Sequence, residues 1–417
     1  QPPGPTTNHQ QPMTNYGASP WLDGFPRSRV PSYPPYRGPS TVDVVIVGGG
    51  LTGCATAYGL AAAGIPAMLL ESQRIGRSST AFSTGWIADD PGNSFADLEK
   101  ALGLRNARRA WQSWRRAALD FSALVRRLDL KCYLEARHTA TVAVTPDQLV
   151  RIRKEQKARV AAGIDAPFLT AKQSTAETAL ESLGALRGRD GATLDPYRAC
   201  VGLAAAAVDR GARFFEKSEV RRITFTRKHA DVHTAAGRIR TKKVVIATGF
   251  PTMLFKSLAR HFWFHSRYIV QTEAVPAKIR QRLGRETTVV RDSAIPPHVV
   301  RRVGEDRLLI AGADSEMTPP RQRERAAVQR TGQLMYELST LYPDVSGIRP
   351  AYGWATDYAR TVDGLPYIGA HRNFPHHLFA FGDSSPGVTG AWLASRILLR
   401  QCSGEMDPAD EVFGFHR

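Results

Sequence analysis

Residues 43–71, DVVIVGGGLTGCATAYGLAAAGIPAMLLE, constrain this chain more than any other part of it. Residues 43–47 are an apolar, β-branched run with the length and composition of one buried parallel strand. Gly48, Gly50 and Gly53 follow at GxGxxG spacing. The first glycine permits the tight turn out of the strand. The second lets the backbone approach a pyrophosphate, and the third lets the next helix pack close to the sheet. That helix is expected over 51–63, rich in alanine and stopped by Gly64 and Pro66. Its first-turn residues, Leu51 and Thr52, present unpaired N–H groups and a partial positive charge to a phosphate. A second buried strand, 67–70, runs into Glu71, where a carboxylate accepts hydrogen bonds from a ribose. Strand, turn, helix, strand and terminal acid together indicate a dinucleotide-binding unit, and they do not separate FAD from NAD.

A chain of 417 residues can bury a large core and has room for about two domains. No apolar run reaches the roughly 18–20 residues of a membrane helix, so a soluble protein is expected. The formal net charge is +18, most of the basic residues being arginine. Such a charge suits a solvated basic surface, an anionic substrate, an anionic membrane surface or nucleic acid. No aromatic-interleaved basic motif of the RNA-binding kinds is present. Cys54, Cys132, Cys200 and Cys402 stand far apart without a CxxC, which indicates neither a disulfide framework nor a metal site. The first residue is Gln1, so the N-terminus reads as processed or as a chosen boundary.

In chain order, residues 1–42 read as an irregular Pro-rich leader whose later part, with Trp21, Phe25, Tyr33 and Tyr36, lies extended on the folded body. Residues 75–86, IGRSSTAFSTGW, form a loop rich in hydroxyls and backbone donors, suited to phosphate and ring contacts. Apolar residues at three- and four-residue steps predict one helix over 94–130, then a strand over 133–144 and helices near 146–163 and 171–181. Residues 184–191 read as a Gly-rich connection, followed by a helix over 197–210 and a strand over 212–216. Strands at 220–226, 230–234 and 239–246 form a meander. Runs at 267–274, 287–291, 298–302 and 307–311, with a helix at 320–341, suggest an inserted antiparallel sheet under a covering helix. Short strands at 352–357 and 366–368 lead to a buried strand, 378–381. It opens into a glycine- and hydroxyl-rich turn, 382–390, ahead of a helix over 391–400. The last residues, 403–417, read as a polar, peripheral tail.

Three separated pieces resemble one family: the 43–71 stretch, KKVVIATGF at 242–250, and DGLPYIG with HHLFAFGDSSPGVTGAWLASRILL at 363–399. Their order and spacing resemble the D-amino-acid-oxidase-like flavoproteins, which include glycine oxidase, sarcosine oxidase and bacterial amine dehydrogenases of the DadA type. The leader residues SPWLD, 19–23, are similar to the lead-in of the γ-glutamylputrescine oxidase branch.

The resemblance implies an α/β fold, a Rossmann-like FAD-binding domain with an inserted α+β substrate domain. The FAD domain would comprise 43–130, 195–255 and 352–400, and the substrate domain 131–194 and 256–351, with 401–417 as a tail. The implied FAD-binding residues are Gly48, Gly50, Leu51, Thr52, Gly53, Glu71 and Ser72. In the loop they are Ser79, Thr80, Thr84 and Gly85, with Val220 on the adenine side and Thr248 and Gly249 at the ATG turn. The tail segment adds Gly382, Asp383, Gly387, Val388 and Thr389.

The chain departs from the family at some positions. Phe82 replaces the loop's usual Arg, and Thr356 falls at a cysteine that carries covalent flavin in sarcosine oxidase. No His lies in 75–87, so non-covalent FAD is expected. Tyr358 stands where glycine oxidase has a carboxylate-binding Arg, with Arg360 nearby. No Lys follows Lys278, which removes the oxygen-activating lysine of sarcosine oxidase and leaves oxidase and dehydrogenase both open.

The resemblance therefore implies oxidation of the C–N bond of a small amine or amino acid, with O2 or a carrier as acceptor; the compartment is not fixed by the sequence, a bacterial cytoplasm and export both staying open. The candidate pocket residues are Tyr268, His298, Arg301, Trp354, Tyr358 and Arg360. Aromatic rings would wall an amine by cation–π attraction, and an arginine would hold a carboxylate. Two other readings stay open: a non-catalytic flavin-holding subunit of a complex, and a tRNA-linked flavoprotein suggested by the charge.

Overall fold

The computed structural model describes residues 13–382 and 387–417. Two sheets organise the chain. The first has the strand order 367–371, 374–381, 237–249, 40–47, 67–70 and 213–215, with 222–225 and 230–234 added as an antiparallel meander beside 237–249. The pairs from Phe374–Phe381 through Gly237–Gly249, Ser40–Val47 and Ala67–Leu70 to Arg213–Phe215 are all parallel. Strict alternation sorts their apolar residues between two cores. Val44, Ile46 and Leu69 face the helices Leu51–Ala62, Leu104–Arg127, Pro196–Val208 and Gly387–Ser403. Val45, Val47 and Met68 face the aromatic cluster of Phe255, Phe262, Phe379 and Phe381.

The second sheet runs in the order 15–16, 350–360, 263–272, 307–316, 299–303, 288–292, 135–143, 184–193 and 86–87, with 168–170 beside 184–193. It is mixed rather than purely antiparallel, because Thr288–Asp292 pairs parallel with Glu135–Ala143 and Asn15–Tyr16 pairs parallel with Pro350–Arg360. Tyr268, Val270, Leu308 and Ile310 pack under the covering helix Arg323–Leu341, with its Leu334 and Leu338. Ile269, Leu309, Ala311 and Trp354 turn to the other face, toward Trp21, Ala81 and Tyr197.

Several local expectations change. The helix over 94–130 is two helices, Phe95–Leu102 and Leu104–Arg127, because Gly103 at φ +77° breaks the turn between them. The Gly-rich residues 184–191 belong to a strand, Gly184–Thr193, held by ladders to Glu135–Ala143 and Phe168–Thr170. The strand at 352–357 extends to Pro350–Arg360 and pairs in the second sheet, not the first.

The leader is not simply extended. Ser19 caps a short helix, Pro20–Asp23, and a 3-10 turn covers Arg27–Arg29. Tyr33 and Tyr36 dock their backbone N–H groups on Glu216 and on Ser218, 3.3 and 2.8 Å away. The tail is not peripheral: Phe413 is fully buried, and Arg417 Nε donates to Asp363 at 2.6 Å. Among the described residues no helix is long and apolar enough to cross a membrane.

Candidate active site

A cavity of about 880 Å³ opens where the parallel strands end, lined by Val47, Leu70, Ala247 and Ala380 from their carboxyl ends. Open α/β sheets bind ligands at this position, where strand ends and helix starts converge.

The three glycines of the first turn have separate duties. Gly48 sits at φ +109°, and a Cβ there would lie 2.6 Å from the carbonyl oxygen of Ala247. Gly53 points away from the cavity, since its Cβ would lie 1.9 Å from the Gly48 oxygen. It permits the close helix-to-turn packing. Gly50 is the cap of the helix Leu51–Ala62 and has no side chain to cover the helix start. Leu51 N–H donates to Thr80 Oγ1 at 2.9 Å, which ties the 75–86 loop to that start. Glu71 is oriented by Gly49 N–H and Gln73 N–H, both at 2.7 Å, and by the Ser72 hydroxyl at 3.1 Å. The Leu51 N–H is thus paired rather than free as expected, while an aimed carboxylate acceptor and a helix start bared by a glycine remain the kind of groups a dinucleotide's ribose and pyrophosphate require. These residues fit FAD.

Most of the other residues expected at the cofactor are brought to the same cavity. Thr52, Ser72, Ser79, Thr80, Thr84, Val220, Thr248, Gly249, Gly382, Gly387 and Val388 all line it. Gly382 N–H donates to the Gly249 oxygen at 2.9 Å, which joins the tail segment to the ATG turn. Thr389 is buried instead, its hydroxyl donating to the Ala88 oxygen at 2.9 Å. Gly85 also turns away, because a Cβ there would lie 2.2 Å from the Leu194 oxygen. Asp383 lies outside the described residues. Arg74 and Arg77, which the motif reading did not include, line the cavity beside Glu71.

The far end is formed by two paired strands, in which Arg267 stands opposite Thr356 and His265 opposite Tyr358. Arg267, Thr356 and Tyr358 line the cavity. Arg267 grips Asp314 through Nε at 2.8 Å and Nη2 at 2.7 Å, and Tyr358 OH donates to the same carboxylate at 2.6 Å. Burial alone would raise the Asp314 carboxyl, but hydrogen bonding and charge from Arg267 outweigh it and hold the group below the usual carboxylate range. Burial, and then the Asp314 charge, push the Tyr358 phenol well above its ordinary value, so it stays a neutral donor.

Of the six candidate pocket residues, the structure brings only Tyr358 to the cavity wall. Tyr268 is one residue out of phase with Arg267, faces the covering helix, and hydrogen-bonds Thr318 at 2.6 Å. His298 bridges Asp292 and Glu337 at 2.6 and 3.0 Å. Trp354 Nε1 donates to the Phe82 oxygen and Arg301 Nε to the Thr84 oxygen, each at 3.0 Å. Burial and the neighbouring charge of Arg137 pull the Arg301 guanidinium down to about 9. Arg360 ends its strand exposed, opposite Trp263. Strand parity is the signal that finds Arg267. It shares a face with Ile269 and Trp354, while Tyr268 does not.

The family model described as DAO, FAD dependent oxidoreductase, matches residues 43–401. The chain is 24% identical over 383 residues to a probable oxidoreductase, OrdL, of Haemophilus influenzae, covering 89% of this chain and 85% of that one. It is 25% identical over 376 residues to the gamma-glutamylputrescine oxidoreductase of Escherichia coli, with the same shares covered. The crystal structure of glycine oxidase from Geobacillus kaustophilus superposes with a TM-score of 0.73 at 20% identity, over 90% of this chain and 99% of that one. The family pattern spans both sheets and every turn around the cavity, and the chain belongs to the DAO family: it is an FAD-dependent oxidoreductase.

Proposed function

We propose that the protein oxidises the C–N bond of a small amine or amino acid and binds FAD non-covalently. One observation carries this reading: a single cavity is lined by the 48–52 turn and also by Arg267, Thr356 and Tyr358. Bound FAD supplies the two-electron acceptor for such a reaction. As the hydride leaves the carbon beside the nitrogen, the nitrogen lone pair closes a C=N bond. The resulting iminium takes up water and collapses to a carbonyl compound and ammonium, or to a substituted ammonium where the nitrogen carries a second carbon.

The chain's own residues bind and orient. Tyr358 spends its proton on Asp314, which leaves the phenol oxygen as an acceptor for a substrate N–H. Its ring, stacked with His265 at 5.6 Å between centroids and lying 5.7 Å from the Arg267 guanidinium, supplies an apolar wall. Phe250 and Leu254 add apolar surface to the cavity lining. Among the described lining residues there is no Cys or His to carry a covalent flavin, and Thr356 stands on the wall. The relatives named gamma-glutamylputrescine oxidoreductase and glycine oxidase support an amine or amino-acid substrate.

The test is anaerobic titration of the purified yellow protein with D-amino acids, N-methylglycine and polyamines. Flavin bleaching by at least one of them is expected, followed by recolouring on addition of a dye acceptor or O2. Bleaching by dithionite but by none of the amines would sink this reading.

A further inference from the structure

We propose that Ser19, Trp21, Trp354 and Arg301 are positioning residues for the cofactor, holding four consecutive carbonyls of the 75–86 loop and thereby setting how tightly FAD is held and how it absorbs. The Ala81 oxygen accepts from the Ser19 hydroxyl. The Phe82 oxygen accepts from Trp354 Nε1 at 3.0 Å, and the Ser83 oxygen from Trp21 Nε1 at 3.0 Å. The Thr84 oxygen accepts from Arg301 Nε at 3.0 Å and Nη2 at 2.5 Å. Two donors come from the leader and two from the second sheet, and all four side chains are buried.

A planar trans peptide points its carbonyl and its N–H to opposite sides. Pinning this run of oxygens outward therefore turns the following N–H groups back into the loop. Phe82 N–H donates to the Ser79 oxygen at 3.2 Å, and Ser83 N–H to the Thr80 oxygen at 3.3 Å. The side facing the cavity then carries Ser79, Thr80, Ser83 and Thr84. Thr80 transmits the arrangement further, because its Oγ1 accepts from Leu51 N–H at the helix start. A loop that slides loses this link as well as its own contacts to the cofactor.

The assembly is closely fitted. The Arg301 guanidinium lies 5.5 Å from the centre of the Trp21 ring. Gly85, at φ +67°, leaves the space Arg301 needs, since a Cβ there would lie 3.1 Å from Nη2. Ordinary core packing would bury these rings without directing nitrogen donors of three side chains at three successive carbonyls.

Trp21→Phe and Trp354→Phe keep a ring and delete only the N–H. Each is expected to raise the dissociation constant for FAD roughly five- to tenfold and to shift the visible band of the bound flavin. Trp111→Phe, whose ring packs edge-on to Phe95 and under Arg159, is the control; it is expected to move the urea midpoint but neither flavin readout. Should Trp21→Phe fail to fold, Trp354→Phe and Arg301→Lys carry the test, the latter keeping the charge but losing the fork on Thr84. Parent-like FAD affinity and spectrum in the folded variants would overturn the proposal. Both readouts are taken without any amine, so they stand apart from failure of the proposed oxidation.

Discussion

The two ends of the cavity are built from different material. At the nucleotide end the groups that matter are main-chain: a bared helix start, a turn at φ +109° and amides that aim Glu71. At the far end they are side chains, with Arg267, Asp314 and Tyr358 locked into one hydrogen-bonded unit across three strands. A main-chain site leaves little choice of residue, since any Cβ at Gly48 or Gly53 meets a carbonyl oxygen. A side-chain site can be assembled from many residue types, provided they come to one face. The first should fail by steric exclusion, and the second by loss of charge balance or of a single donor.

The largest effect is expected at Gly53. Its added Cβ would lie 1.9 Å from the Gly48 oxygen, so Gly53→Ala must displace the turn or the helix. A destabilisation of about 3 kcal/mol or more and a colourless protein are expected, read by urea unfolding and by flavin content after purification. A yellow, stable Gly53→Ala protein would break the contrast between the two ends.

Next comes Asp314→Asn. It neutralises the buried carboxylate that Arg267 holds through Nε and Nη2, and breaking a buried pair of this kind costs roughly 3–5 kcal/mol. The effect should depend on pH. The carboxyl is held below its unfolded value, so its contribution is present at neutral pH and is lost as the pH falls through the depressed folded value. The parent and Asp314→Asn should therefore converge in stability only in acid. A second substitution, Arg267→Met, should restore part of the loss, and a double-mutant cycle measures the coupling.

Tyr358→Phe tests the far end with a smaller change. It removes one hydroxyl and keeps the ring, so kcat/KM for the best amine should fall roughly tenfold or more with FAD affinity unchanged. An equal loss of FAD affinity would mean that Tyr358 belongs to the nucleotide end.

The same contrast decides what was legible in the sequence. Gly48, Gly50 and Glu71 follow from strand, turn and helix spacing, and Thr248 and Gly382 from the family resemblance; all five line the cavity. Arg267 escapes that reading: strand parity puts it on the Ile269 face, but that this face meets the cavity follows only from pairing with residues 350–360, far away in the chain. Trp354 and Arg301 lie next to the site, yet their partners are carbonyls of Phe82 and Thr84, and no side-chain pattern records a carbonyl. Glycines also mislead in the other direction. Those at 184–191 suggest a loop, but ladders on both sides hold them in a strand. Phe413 and Arg417 stand in a short polar tail whose burial depends wholly on what it packs against.

His298 carries the smallest expected effect and gives the sharpest separation of chemistry from architecture. It is the one imidazole among the candidate pocket residues, the side-chain type most often used as an acid or base. Its ring instead ties Asp292, at the end of one strand, to Glu337 on the covering helix. Glu337 also takes Gln333 Nε2 at 2.9 Å, and Gln333 in turn takes Arg330 at 2.7 Å. The Asp292 hydrogen bond, outweighing partial burial and joined by the charges of Asp292 and Glu337, raises the imidazole above its ordinary value. A raised folded value means that the stabilisation is complete below the unfolded value and disappears as the pH rises through the folded one. His298→Gln should therefore cost about 1 kcal/mol at pH 6 and almost nothing at pH 9, read by urea unfolding. Across the same range kcat/KM and FAD affinity should follow the parent. A variant that instead lost one limb of the pH–rate profile would place a proton-transfer group on the far face of the sheet, and the far end of the cavity would then have to be redrawn around it.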